Sequence, residues 1–422
     1  VGGVDQRSLR LGPDAMRILA VAIVAVLTAG AANVPVALAI APPQIDRSLV
    51  PADGRPSPEQ PMRQSNVCAT AVAAGAPDVM RPAAGFTMLN VKDAWRYSTG
   101  KGVSVAVIDT GITPSPRLPA LPGGDYISGG DGLSDCDAHG TLVASVIAAK
   151  PSNQDGVSGV APDASVISIR QSSRAFEPSS PGWGDFETRK KAGTVATLAR
   201  AIVHAANLGA KVINVSVTAC VSAAEALDQR EIGAAVWYAA TQKDAVIVAA
   251  AGNEGEEGCA QNPPLDPLNP NDPRDWSHVL TISSPSWFSD YVLSVGAVTP
   301  QGTPIDKSLA GPWLGVAAPG IGVTGLSPQT AGAVNAHPPA RPGEAAIPLW
   351  GTSFSAAYVS GVAALVRARF PGLSSHQIVN RIMRTAHSPA RGVDNQIGHG
   401  VVDPVAALTF DIPPGEPVVP GA

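Results

Sequence analysis

Val103-Ser-Val-Ala-Val-Ile-Asp109-Thr-Gly111 is a short apolar run that stops on a carboxylate and a glycine. A continuous apolar stretch of this length, bounded by a turn signal, reads as a strand buried on both faces of a parallel sheet. Ligand chemistry in such sheets gathers at the carboxyl ends of the strands, where this reading puts Asp109. Further along stand His139-Gly-Thr141 and then Gly351-Thr-Ser353-Phe-Ser355. Each motif alone is weak, but in this order they spell Asp…His…Ser. A serine hydroxyl attacks poorly unless a base removes its proton. A neutral imidazole does this near pH 7, and a carboxylate behind it fixes its tautomer and stabilises the imidazolium. Ser353 is therefore the expected nucleophile, His139 the proton shuttle and Asp109 the group that orients His139.

The pattern around the first strand repeats. Apolar runs predict further strands over 164–169, 211–217, 245–250 and 291–298. Helical spacing predicts helices over 140–149, 194–208, 223–240 and 353–369. In the second of these Val195, Leu198, Ile202 and Ala205 share a face, and Gly209 is a natural stop. Repeated β–α–β order predicts an α/β fold in three layers, a mostly parallel sheet with helices on both faces.

A tetrahedral intermediate needs donors for its oxyanion. The helix expected to begin near Ser353 offers the Ser353 N–H and its positive dipole end. Ala249-Ala-Ala-Gly-Asn253-Glu-Gly255 follows its own strand and offers Asn253 as a side-chain donor. Three other carboxylates, Asp131, Asp135 and Asp137, share a loop with His139 and are rival partners for it. The strand-end position favours Asp109. The other histidines, His204, His278, His337, His376, His387 and His399, carry no such context. Glu254, Glu256 and Glu257 beside Asn253 read as a solvated loop, with a cationic substrate residue as the sharper alternative. The run Arg189-Lys190-Lys191 reads as a solvated face.

Composition sets the outer limits. Across 422 residues, 45% hydrophobic and 15% charged residues suit a large folded core, and a net charge of −5 supplies no basic field for nucleic acid. Arg7, Arg10 and Arg17 precede an apolar run over 18–32 and a small-x-small site at Ala37-Leu-Ala39, so residues 1–39 read as an export signal. Residues 40–85 are rich in Pro, Gly and Ser and read as an extended arm, 86–410 as the catalytic domain and 411–422 as a Pro-rich linker. Long insertions are expected over 171–191 and 259–287. Export permits disulfides. Cys68, Cys136, Cys220 and Cys259 allow three pairings, of which pairing by neighbourhood gives Cys68–Cys136 and Cys220–Cys259. None has metal-like spacing, and no cofactor is expected.

Together with Gly315-Val-Ala-Ala-Pro319-Gly320, these motifs resemble the subtilisin-like serine peptidases, the subtilases, over about residues 90–410. Ser134-Asp-Cys-Asp-Ala-His139-Gly-Thr-Leu-Val-Ala-Ser145 and the arm segment Ile40-Ala-Pro-Pro-Gln-Ile-Asp46 resemble the mycosins, membrane-associated subtilases of type VII secretion systems. The resemblance implies a parallel sheet of about seven strands, an Asp109/His139/Ser353 triad, an Asn253 oxyanion donor and the same two disulfides. It also implies a non-inhibitory arm, protein or peptide substrates, a cell-envelope location and a type VII membrane complex as partner. Mycosins are thought to support that complex structurally apart from cleavage, which gives a scaffold with dispensable catalysis as the alternative function. Two departures stand out. Ala357 occupies the place of a usual proline four residues after the nucleophile, and the sequence to Ala422 lacks the usual C-terminal membrane helix. A triad esterase of the α/β-hydrolase type fits poorly, since its order is Ser…Asp…His.

Overall fold

The computed structural model describes Gly2 and residues 40–419, apart from 76–77, 181–185, 226, 264–273, 275, 342 and 391. The export signal read from residues 1–39 therefore lies outside the described residues. Seven strands form the central sheet: β1 Ser104–Asp109, β2 Ala120–Asp125, β3 Ser165–Arg170, β4 Val212–Val215, β5 Val246–Ala250, β6 Val292–Val298 and β7 Leu314–Pro319. Their order is β7-β6-β5-β4-β1-β3-β2, and every neighbouring pair is parallel. The chain leaves β1 towards one edge, then returns beside it as β4. The sheet thus has its topological switch at the β1/β4 seam, where open α/β sheets bind ligands.

Period-two alternation decides which face each residue of β1 serves. Ala106 and Ile108 pack with Val195, Leu198 and Ile202 of helix α2, Phe186–Asn207, and Ile232 of α3, Arg230–Trp237. Val105 and Val107 face the opposite layer, built by α1, His139–Ala148, and α4, Thr352–Arg369. Asp109 continues the Val105/Val107 series, so strand geometry alone turns it to the face where both His139 and Ser353 begin helices. Helix α4 is buried over residues 352–367, as expected of a helix apolar all round. Ala357 is fully buried within it, and the helix continues unbroken there.

Some boundaries differ from expectation. The helix predicted from 194 starts at Phe186, because residues 187–191 are polar and give no apolar period. The helix predicted over 223–240 starts only at Arg230. Ala219–Ser222 is held extended by antiparallel pairing with Thr281–Ser284. The two edge strands carry no strand pattern in the sequence: β2 holds Pro122, Gly123 and Gly124, and an edge tolerates such residues where a central strand does not.

Both disulfides, Cys68–Cys136 and Cys220–Cys259, are present. With closed loops of these lengths each is worth about 4 kcal/mol in the chain-entropy model. The first ties the arm to the loop before His139. The arm also runs along α2, where Asp53 accepts from His204 Nδ1 at 2.7 Å and Glu59 meets Arg200 at 2.8 Å. Met62–Gln64 then pairs antiparallel with Phe176–Pro178. Among the described residues, no helix is long and apolar enough to cross a membrane.

Candidate active site

At the carboxyl end of β1, Asp109 is 1% exposed, and its Oδ1 accepts from His139 Nδ1 at 2.7 Å. The same oxygen accepts from the Thr110 N–H at 2.7 Å. The rival carboxylates are engaged elsewhere. Asp131 accepts from the Leu133 N–H, and Asp137 accepts from the Arg174 N–H and the Ser173 hydroxyl. Asp135 binds Thr110 and Thr141. Burial is the largest single influence on His139 and disfavours its charged form. The Asp109 charge and hydrogen bond, with the Asp135 charge, outweigh it, so His139 titrates above the usual histidine value.

Ser353 sits in the first turn of α4, 7% exposed, with its Oγ 3.4 Å from the Ser216 carbonyl. The imidazole of His139 packs against the neighbouring Phe354, ring centroids 5.6 Å apart. Both side chains line one cleft of about 1220 Å³ that opens over the carboxyl ends of β1, β4 and β5. Among the described residues no hydrogen bond joins Ser353 Oγ to His139; in resting enzymes such catalytic bonds are often long and tighten only with substrate bound.

Asn253 lines the same cleft. Its Oδ1 accepts from the Thr352 N–H at 3.0 Å and the Thr352 hydroxyl at 3.1 Å. A backbone N–H only donates, so this pairing fixes which end of the amide faces Thr352. Nδ2 must then face away, where it donates to Glu256 at 3.4 Å. Gly351, at φ +140°, makes the turn between Trp350 and the helix, and a Cβ there would stand 3.4 Å from Asn253 Nδ2. Asn253 and the Ser353 N–H, one of those that a helix start leaves without an intrahelical partner, are thus set beside one nucleophile. Each disulfide braces one loop of this site. Cys136 precedes His139 by three residues, and the Cys259 carbonyl accepts from the Gly255 N–H two residues after Asn253.

Other expected features are placed as follows. Glu256 is met by Arg174 at 3.4 Å and Glu257 by Lys190 at 3.5 Å, so the chain's own cations already face these carboxylates. The side chains of Arg189 and Lys191 lie outside the described residues. His387 meets Asp403 at 3.1 Å, away from the cleft lining. His337, Trp350 and the arm residues Met62 and Val67 do line the cleft, and no motif had marked them.

The geometry is matched by similarity to known proteins. Residues 100–400 match the model of the subtilase family. Mycosin-2 of Mycobacterium tuberculosis is 52% identical over 98% of this chain and 91% of its own length. A crystal structure of MycP1 from the ESX-1 type VII secretion system is 48% identical with a TM-score of 0.85, covering 90% of this chain and 99% of that one. A chain of the periplasmic assembly from the ESX-5 inner membrane complex is 54% identical with a TM-score of 0.85, covering 89% of this chain and 96% of that one.

Proposed function

Since the chain belongs to the subtilase family and, within it, to the mycosins, we propose that its peptide-bond hydrolysis runs through Ser353, His139, Asp109 and Asn253. The observation that carries this reading is the 2.7 Å bond from His139 to a buried Asp109, in one cleft with Ser353 and Asn253. Ser353 Oγ attacks the scissile carbonyl carbon while its proton passes to His139 Nε2. Asp109 holds the Nδ1 proton and stabilises the imidazolium. The oxyanion takes bonds from the Ser353 N–H and Asn253 Nδ2. The C–N bond then breaks as His139 returns the proton to the leaving amine, and water hydrolyses the acyl-enzyme by the same path in reverse. An extended substrate strand is read as pairing with edges near Val215–Val217 and the segment before Asn253, where Ser216, Val217, Thr218 and Ala250 line the cleft.

The arm, residues 40–85, is read as a standing wall of this cleft and not as a plug. A serine-directed fluorophosphonate tests both readings on the intact chain. Phosphorylation-like capture, with loss of fluoride, is expected on Ser353 without removal of the arm. Capture on a different residue defeats the site, and capture only after excision of 40–85 makes the arm inhibitory.

Asn253→Ala is expected to lower kcat roughly a hundred- to a thousandfold with KM nearly unchanged, a magnitude established for the equivalent donor of the related enzyme subtilisin. A steady-state assay with any cleavable peptide separates the two constants. A rise in KM alone would make Asn253 a binding residue.

Export to a periplasm-like space and a seat in a type VII membrane complex belong to the same proposal, supported by the relative found in the ESX-5 periplasmic assembly. That likeness also favours a scaffold role beside catalysis. Secretion sustained by a Ser353→Ala strain but lost on deletion of the whole chain would establish it.

A further inference from the structure

Helix α1 starts on a turn that its own sequence stabilises poorly. Its N-cap position is Ala138, which has no side-chain acceptor and is held at φ +63°. A left-handed conformation is disfavoured for a non-glycine residue, and an N-cap without a side-chain acceptor leaves N–H groups of the first turn to find partners elsewhere. Yet this helix carries His139 as its first residue. The missing acceptors come from elsewhere. The Gly140 N–H donates to Thr110 Oγ1 at 2.9 Å, and the Thr141 N–H donates to Asp135 Oδ2 at 2.8 Å. Asp135 also accepts from Thr141 Oγ1 at 2.6 Å, from Thr110 Oγ1 at 2.9 Å and from the Asp137 N–H at 3.1 Å. One carboxylate, 6% exposed, thus spans the strained turn and links the first turn of α1 to the residue after Asp109.

We propose that Asp135 is a positioning residue for the proteolytic site, standing in for the absent N-cap, locking His139 against Asp109 and adding negative charge behind the imidazole. The proposal rests on the triad reading above. No motif reading needs it, because the three catalytic roles are complete without a second buried acid. The charged groups around His139 are Asp109, Asp135 and Arg174, with His337 near enough to feel its charge and Asp137 bonded to the same loop. Burial, with the neighbouring Asp109, raises the Asp135 carboxyl to about 6 even against its hydrogen bonds. It is therefore ionised at neutral pH, where it raises the affinity of His139 for its proton.

The test is the rate of Ser353 capture by a fluorophosphonate as a function of pH, which needs no known substrate. In Asp135→Asn the amide offers one acceptor where the carboxylate offers two and places a donor against donors. The capture rate at pH 8 is expected to fall roughly a hundredfold, as a displacement of about 1 Å would cause. With the charge gone His139 loses its proton more readily, so the acid limb of the profile moves to lower pH. Asp135→Glu keeps the charge but shifts the oxygens, and is expected to lower the rate while leaving the limb in place. A rate within twofold of the parent, or a lowered rate with an unmoved limb in Asp135→Asn, overturns the proposal. Should Asp135→Asn fail to fold, parent-like capture by Asp135→Glu overturns it alone. Absence of capture in the parent defeats the triad reading instead, so the two failures are distinguishable.

Discussion

Ser353→Ala is expected to lower peptide-bond cleavage by on the order of a million-fold, the size known for loss of the nucleophile in the related enzyme subtilisin, while leaving the protein folded. The two halves of this expectation rest on different observations. The chemical half follows from the absence of any replacement nucleophile once Oγ is gone: His139 still accepts protons and Asn253 still donates, but no acyl-enzyme forms. Oxyanion binding alone still leaves a residual acceleration over water of roughly a thousandfold or more. The structural half follows from how little Oγ does for stability. Its hydrogen bond to the Ser216 carbonyl is long, at 3.4 Å, and the rest of α4 is held by apolar packing against the sheet. A thermal midpoint within about 2 °C of the parent is expected, the shift that a few tenths of a kcal/mol gives in a domain of this size. Peptide affinity should survive, since the variant lacks only the bond-forming atom. Cleavage of a test peptide by the variant at the parent's rate would remove Ser353 from the mechanism.

How much of this was legible in the sequence depends on whether a residue acts through its own type or through its surroundings. Asp109 was legible because a carboxylate ends an apolar strand, and alternation with Val105 and Val107 then sets its face. His139 and Ser353 open helices, and motif order named their chemistry. The edge strands β2 and β7 were not legible, since Gly and Pro in them erase the alternation that reveals a central strand. Helix α2 lost its first two turns for a related reason: polar residues over 187–191 carry no period even where the backbone is helical. Asp135 illustrates the harder case. From sequence it was one of several acids near His139 and a rival to Asp109. Its place became definable only once Ala138 proved to hold a left-handed turn with no cap of its own. The acidic residues beside Asn253 read as a solvated loop, and Glu256 and Glu257 do stay partly exposed, but the cations that meet them, Arg174 and Lys190, come from another segment of the chain, a proximity no local pattern encodes.

Asp109→Asn is expected to lower kcat roughly ten-thousandfold with little change in KM, and the arrangement around Oδ1 explains why the loss is chemical more than structural. That oxygen accepts from both the Thr110 N–H and His139 Nδ1. An asparagine can keep its carbonyl oxygen there and preserve both bonds, leaving the imidazole in place but without a full negative charge to stabilise its protonated form. Alternatively the amide nitrogen faces the ring, which forces Nδ1 to accept and puts the proton on Nε2, the atom that must receive the serine proton. Either outcome disables the base. The remaining atom of the amide takes the place of Oδ2, which is buried without a hydrogen-bond partner among the described residues. A nitrogen there adds an unsatisfied donor worth about 1–3 kcal/mol of stability. The pH profile distinguishes this account from simple misfolding. The Asp109 charge and hydrogen bond both raise the His139 pKa, so their loss moves the acid limb of the residual activity to lower pH. A merely destabilised protein would lose amplitude at every pH with its limb unmoved. Activity within tenfold of the parent would mean that Asp109 is not the orienting carboxylate.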